Sequence, residues 1–79
     1  MLEELSTAQK VVGVKQSVRA LREGRAARVF LACDADPALT ERVAAMCAAV
    51  PVERGATMAQ LGAAAGISVG AAVVTLLNG

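Results

Sequence analysis

No histidine, tryptophan or tyrosine occurs in this chain, and Phe30 is its one aromatic residue. The absence of histidine excludes imidazole general bases, histidine-based triads and histidine metal ligands. A single aromatic ring excludes binding modes that need stacking platforms, such as the sheet of an RRM or the groove of an OB-fold. Cysteine is scarce too: Cys33 and Cys47 form no Cys-x-x-Cys pair. Both lie in apolar sequence and read as buried free thiols of a cytoplasmic protein, not as a disulfide. The acidic start, Leu2-Glu3-Glu4-Leu5, is unlike a signal peptide. From Gly55 onward no charged side chain occurs. Thr57, Gln60, Gly62, Gly66, Ser68 and Gly70 nevertheless interrupt that stretch, which stays short of the ~18 apolar residues of a membrane span. The hydroxyls of Ser17, Thr40, Ser68 and Thr75 have no neighbouring base to activate them, so nothing supplies a nucleophile.

What is present is small and apolar. Seventy-nine residues, 56% of them hydrophobic, make one domain, residues 1–79, with a core of Ala, Val and Leu and closely set elements. The net charge of +1 conceals an asymmetry. Between positions 10 and 28, Lys10, Lys15, Arg19, Arg22, Arg25 and Arg28 stand against Glu23 alone. A basic stretch on a near-neutral chain points to a local polyanion contact, not to general adhesion.

The periodicity predicts alternating helices and strands. A helix over 3–10 turns Leu2 and Leu5 inward. Val11–Val14 is a short strand ending in a Gly13 turn, and 15–23 is a helix stopped by Gly24. The apolar run from Arg28 to Cys33 reads as a central strand. Asp36 caps a helix opened by Pro37, with Leu39, Val43, Met46 and Val50 on one face; it spans 37–49 and ends before Pro51. Residues 52–54 form a short edge strand. Thr57 and Gln60 make a capping box for a helix from Met58 to Ala65, stopped by Gly66. Ala71–Leu77 is the last strand. The class is therefore α/β, with helices on both faces of a small sheet. Asp34 and Asp36, the paired carboxylates, read as turn and cap residues before an acid–base pair or magnesium site.

Ligands on such sheets gather where strand ends meet helix starts. Two stretches qualify. In the helix after Gly13, Val14, Val18 and Leu21 form an apolar stripe, and Lys15, Arg19 and Arg22 a basic stripe beside it. A helix start offers unpaired N–H groups and partial positive charge, so Lys15, Gln16 and Arg19 make a candidate anion or base-edge site. The same stripe is what a solvated amphipathic helix presents. In Gly66-Ile67-Ser68-Val69-Gly70, Ile67 and Val69 either plug the sheet edge or form an exposed apolar loop that receives a splayed base.

Gly13-Val14-Lys15-Gln16-Ser17-Val18-Arg19, then Asp34-Ala35-Asp36-Pro37, then Leu61-Gly62-Ala63-Ala64-Ala65-Gly66-Ile67-Ser68-Val69-Gly70-Ala71-Ala72 together resemble the kink-turn-binding ribosomal protein family. The likeness covers nearly the whole chain, and Lys15-Gln16 resembles its bacterial, YbxF-type branch. The resemblance implies a three-layer α/β/α sandwich around a small mixed four-stranded sheet. It implies no enzymatic activity, cofactor or metal. The partner is a kinked RNA, ribosomal or otherwise structured, with tandem sheared G·A pairs beside a bulge, bound by a cytoplasmic monomer at or away from the ribosome. The implied RNA-binding residues are Gly13, Val14, Lys15, Gln16, Arg19 and Arg22, with Ile67, Ser68 and Val69 covering the bulge. Met58 and Ala59 stand where many members carry lysines, which implies fewer phosphate contacts, and two residues follow Leu77 where longer members carry a C-terminal helix. The alternative is a protein-interaction module on the same fold, using the uncharged 55–79 surface.

Overall fold

Val29, Phe30, Leu31, Val73 and Val74 are buried strand residues that alternate between two separate apolar clusters. Alternation along two strands puts one set on each face of a sheet, and each face needs its own cover. The computed structural model describes residue 5 and residues 9–78. It contains strand β1 (Lys10–Val12), helix α1 (Val14–Arg22), β2 (Ala26–Leu31), α2 (Pro37–Ala45), β3 (Val52–Glu53), α3 (Met58–Ala64) and β4 (Val73–Leu77). The strand order is β1-β4-β2-β3. β4 runs antiparallel to both β1 and β2, and β3 runs parallel to β2, so the sheet is mixed.

Phe30, Val74 and Leu76 face Leu61 of α3 and Leu5, which is helical and fully buried. Val29, Leu31 and Val73 face Val43 and Cys47, with Val14, Val18 and Leu21 of α1 packed at the margin. The result is an α/β/α sandwich with a thin core on each side. Among the described residues, no helix is long and apolar enough to cross a membrane.

The helix ends follow local chemistry. Glu23 closes α1. The Gly24 N–H then donates to Leu21 O at 3.2 Å and the Arg25 N–H to Ala20 O at 2.9 Å, with Gly24 at φ +70°. This two-bond ending turns the chain straight into β2, which starts at Ala26 and not at Arg28, with a register shift between those two residues. α3 ends the same way, through Gly66 N–H to Ala63 O (3.1 Å) and Ile67 N–H to Gly62 O (3.0 Å). α2 stops at Ala45, four residues before the expected end at 49. Met46 and Cys47 donate to Val43 O and Ala44 O, a tightened last turn, and Ala48 takes a positive φ of 27°. Pro51 then keeps Val50 out of the helical region, and Val50 remains packed on the core from an irregular segment.

Other expectations need correction. Cys33 is exposed and only Cys47 is buried, because the chain leaves β2 at Leu31 and Cys33 lies in the turn beyond the sheet. Lys10 belongs to β1, paired opposite Leu76, and not to the helix expected over 3–10. The rest of that helix, apart from Leu5 and the non-helical Gln9, lies outside the described residues, as does Leu2 before it. β4 begins at Val73 instead of Ala71, since the Ala71 N–H donates to Met58 O in α3.

Both carboxylates of the Asp34–Asp36 pair serve helix starts. Asp36 Oδ1 accepts from the Ala38 N–H at 3.0 Å, with Pro37 at the first helical position of α2. Asp34 Oδ1 accepts from the Met58 N–H at 2.8 Å, the first residue of α3. Asp34→Ala and Asp36→Ala are each expected to lower unfolding free energy by about 0.5–2 kcal/mol, as lost caps do. Denaturant titration of the two variants measures this. Unchanged midpoints would mean that the caps contribute nothing and leave the pair unexplained.

Candidate functional site

Pairing in the sheet decides which loops meet. Val12 lies opposite Val74, and Leu31 opposite Val73. The end of β1, the end of β2 and the beginning of β4 therefore share one end of the sheet. The Gly13 turn, the 32–36 turn and the 66–72 loop gather there. The Gly13 N–H donates to Val73 O at 2.8 Å, and the Ala32 N–H to Ala72 O at 2.9 Å. Both sequence-derived site stretches are thus held at the same pole, although some fifty positions separate them in the chain.

At the first stretch, Gly13 is the N-cap of α1 with φ 103° and ψ 163°. That conformation is essentially open to glycine alone. Having no side chain, Gly13 leaves the first helical N–H groups uncapped, and no acidic residue occupies the first turn. The first helical bond runs from the Ser17 N–H to Gly13 O. The N–H groups of Val14, Lys15 and Gln16 thus point outward at the positive end of the helix.

The deepest residues of α1 are Ser17 and Ala20, three positions apart. The Val14, Val18 and Leu21 stripe is only half-buried and flanks them. Small residues at the closest point let α1 lie near the sheet. The Ser17 and Thr75 hydroxyls are buried there without a hydrogen-bond partner among the described residues. The opposite face of α1 carries Lys15, Gln16, Arg19 and Arg22, all exposed. With Val18 and Glu23 they line a groove of about 450 Å³.

Glu23, counted in the sequence only as a lone opposing charge, is the residue that sequence reasoning missed. Arg19 Nε donates to its Oε2 at 3.2 Å and Arg25 Nη1 to its Oε1 at 3.1 Å. The Arg25 and Arg19 guanidiniums hold the Glu23 carboxyl below the usual carboxylate range. The four-residue spacing from Arg19 was the available signal. Among the described residues, Lys15 and Arg22 have no ion-pair partner. Arg28 departs from the basic stretch: strand alternation puts it on the Phe30 face, where it approaches Glu53 at 3.8 Å.

At the second stretch the two apolar residues divide. Ile67 is half-buried and packs against the α3-side core. Val69 is 69% exposed, and Ser68 is exposed beside it. The loop backbone lies directly on α3: a β-carbon at Gly62 would come 2.0 Å from the Val69 carbonyl oxygen and 3.0 Å from its carbon. Gly70 is pressed against Met58, whose atoms would stand 3.2–3.3 Å from a β-carbon there. Gly62 therefore allows the contact that turns Ile67 in and leaves Val69 out. Among the described residues, no group of three or more Cys, Asp or Glu side chains is arranged to hold a metal.

The model of the ribosomal protein L7Ae/L30e/S12e/Gadd45 family matches residues 2–79. An RNA-binding protein of Geobacillus sp. (strain WCH70) is 48% identical over 76 residues, covering 94% of this chain and 93% of that protein. The RNA-binding protein YbxF of Geobacillus stearothermophilus is 45% identical over 76 residues, with the same coverage. The solved 15.5 kD RNA binding protein of Giardia lamblia superposes with a TM-score of 0.86 over 99% of this chain and 68% of that one. At 23% identity that likeness is one of fold.

Two substitutions in the loop have unequal expected effects. Ile67→Asp forces a carboxylate against the core and is expected to cost about 1–3 kcal/mol of stability. Val69→Asp stays within about 0.5 kcal/mol of the wild type, as exposed changes do. In α3, Gly62→Ala, which in an ordinary helix gains about 1 kcal/mol, is expected to lower stability instead, by about 1–3 kcal/mol, through the clash with Val69. Thermal and denaturant melts of the three variants check these signs. A stabilised Gly62→Ala variant would show that the loop lifts off α3 at no cost.

Proposed function

The chain belongs to the ribosomal protein L7Ae/L30e/S12e/Gadd45 family, on its YbxF-like branch, and on that premise we propose that it binds RNA at the shared pole of its sheet. The target is a kink-turn: a bulge flanked by tandem sheared G·A pairs, in ribosomal or other structured RNA. The uncapped N–H groups after Gly13 and the Lys15 and Gln16 side chains meet the exposed base edges of the G·A pairs. Arg19 and Arg22, one and two turns further along α1, meet phosphates. Val69, with Ser68, covers the bulged nucleotides, and Ile67 anchors that loop from inside. RNA specificity of this kind rests on bulges and unstacked bases, since the major groove of an RNA duplex is too narrow to read.

The observation that carries the reading is the hydrogen bond from the Gly13 N–H to Val73 O. It ties the start of α1 to the strand that the 66–72 loop feeds, so the uncapped helix start with Lys15 and Gln16 and the exposed Val69 stand at one end of the molecule. The relatives that match along most of the chain carry RNA binding in their names. Nothing in the reading calls for catalysis or a cofactor. The protein acts as a cytoplasmic monomer, its one domain forming the whole RNA-binding unit.

The test is a titration of the protein with a kink-turn RNA and with the same RNA carrying Watson–Crick pairs in place of the G·A pairs. The kink-turn is expected to bind more tightly at every salt concentration. With Arg19 and Arg22 as the phosphate-facing cations, log affinity against log salt has an expected slope of roughly −1 to −2. Lys15→Ala is expected to weaken kink-turn binding by about 1–3 kcal/mol with an unchanged melting temperature. Equal affinity for the two RNAs, with equal slopes, would overturn kink-turn recognition. Binding to neither would favour the protein-interaction module.

A further inference from the structure

Glu23 is a carboxylate where local electrostatics disfavours one. It occupies the C-cap of α1, the negative end of the helix dipole, where cations and not anions are stabilised. It lines the same groove as Lys15, Gln16, Arg19 and Arg22. Its two oxygens each accept from a different arginine, Arg19 within the helix and Arg25 beyond its end. The pairs are solvent-exposed, with 72% of the Arg19 side chain accessible. Such pairs contribute little to stability, a median of about 0–1 kcal/mol, so holding the fold together does not account for a carboxylate at this position. Its effect is on charge: it engages one donor each of Arg19 and Arg25 and sets a negative charge beside both guanidiniums.

We propose that Glu23 is a specificity-determining residue that suppresses sequence-blind binding of polyanions to the α1 face. A phosphate that engages Arg19 or Arg25 must either displace the Glu23 carboxylate or bind beside its negative charge. A plain duplex offers only phosphates and gains nothing to offset that cost. A ligand that also makes base-edge contacts at Lys15 and Gln16 carries the cost and still binds. The carboxylate thus shifts the balance from positioning contacts, which carry no sequence information, to those that specify. This inference takes the ligand class from the RNA-binding reading above. It assigns Glu23 a part in choosing among RNAs, not a direct contact to one.

The test is Glu23→Gln, which keeps the size and the acceptor oxygen and removes the charge. The variant and the wild type are titrated with a kink-turn RNA and with a plain RNA duplex of equal length, each over a range of salt. The expected result is a rise in duplex affinity of roughly three- to tenfold and a salt slope steeper by about one to two, as one or two arginines become available to phosphate. Kink-turn affinity rises less, so the ratio between the two RNAs falls. A melt of the variant reports on a purely structural role, which would change stability and leave the duplex slope alone. Unchanged or weaker duplex binding by Glu23→Gln overturns the proposal, as does an equal gain for both RNAs. The duplex arm scores Glu23 by itself. A wild type that fails to prefer the kink-turn overturns the RNA-recognition reading, which is a separate outcome.

Discussion

The carbonyl oxygen of Val69 lies 2.0 Å from where any residue but glycine at position 62 would place its β-carbon. Much of the geometry at this pole of the sheet depends on that close approach. Because the 66–70 backbone rests on α3, the Ala71 N–H reaches Met58 O, and β4 can start only at Val73. The start of β4 presents Val73 O to the Gly13 N–H, which sets the entry of α1. One missing methyl group in α3 therefore helps to position the beginning of another helix on the other face of the sheet. The same contact separates the duties of Ile67 and Val69, one packed against the core and the other exposed. Asp34 reinforces it by holding the Met58 N–H from the 32–36 turn.

The thinness of the core follows from the same economy of size. Ser17 and Ala20 face the sheet where α1 comes closest, and Gly62 and Ala71 are buried on the α3 side. Small side chains bring the layers together but bury little area each, at about 25 cal/mol per Å² of apolar surface. Two glycine-terminated helices and two carboxylate caps satisfy the polar ends that so small a core cannot hide. The buried, unpartnered hydroxyls of Ser17 and Thr75 are the exception among the described residues.

Charge is divided by face. Lys15, Arg19 and Arg22 project from α1, Arg25 follows its end, and Glu23 stands among them. Arg28, next in the same basic stretch, is carried by strand alternation to the opposite side of the sheet. A basic stretch contiguous in sequence is thus two surfaces in space. Of the α1 surface, its start at Lys15 and Gln16 shares a pole with Val69, while Arg25 lies at the opposite end of the sheet, bonded to Asn78 after β4.

Local signals were legible in the sequence because their causes are local. Asp36 with Pro37, Thr57 with Gln60, and Gly24 and Gly66 as helix stops act within four residues of themselves, and all appear as read. The alternation of helix and strand, and hence the sandwich, follows from apolar periodicity, which each segment carries alone. What the sequence could not decide depends on partners far along the chain. Cys33 is exposed because β2 ends at Leu31, and α2 stops at Ala45 through a tightened turn that the Leu39–Val50 periodicity does not encode. Whether Ile67 or Val69 points outward depends on where the loop lies on α3. That Glu23 binds two arginines, one of them beyond the helix end, depends on the angle at which the chain leaves α1. Periodicity and capping are properties of neighbours in the chain and could be read there. Exposure and pairing are properties of neighbours in space, and only the folded sheet brought those together.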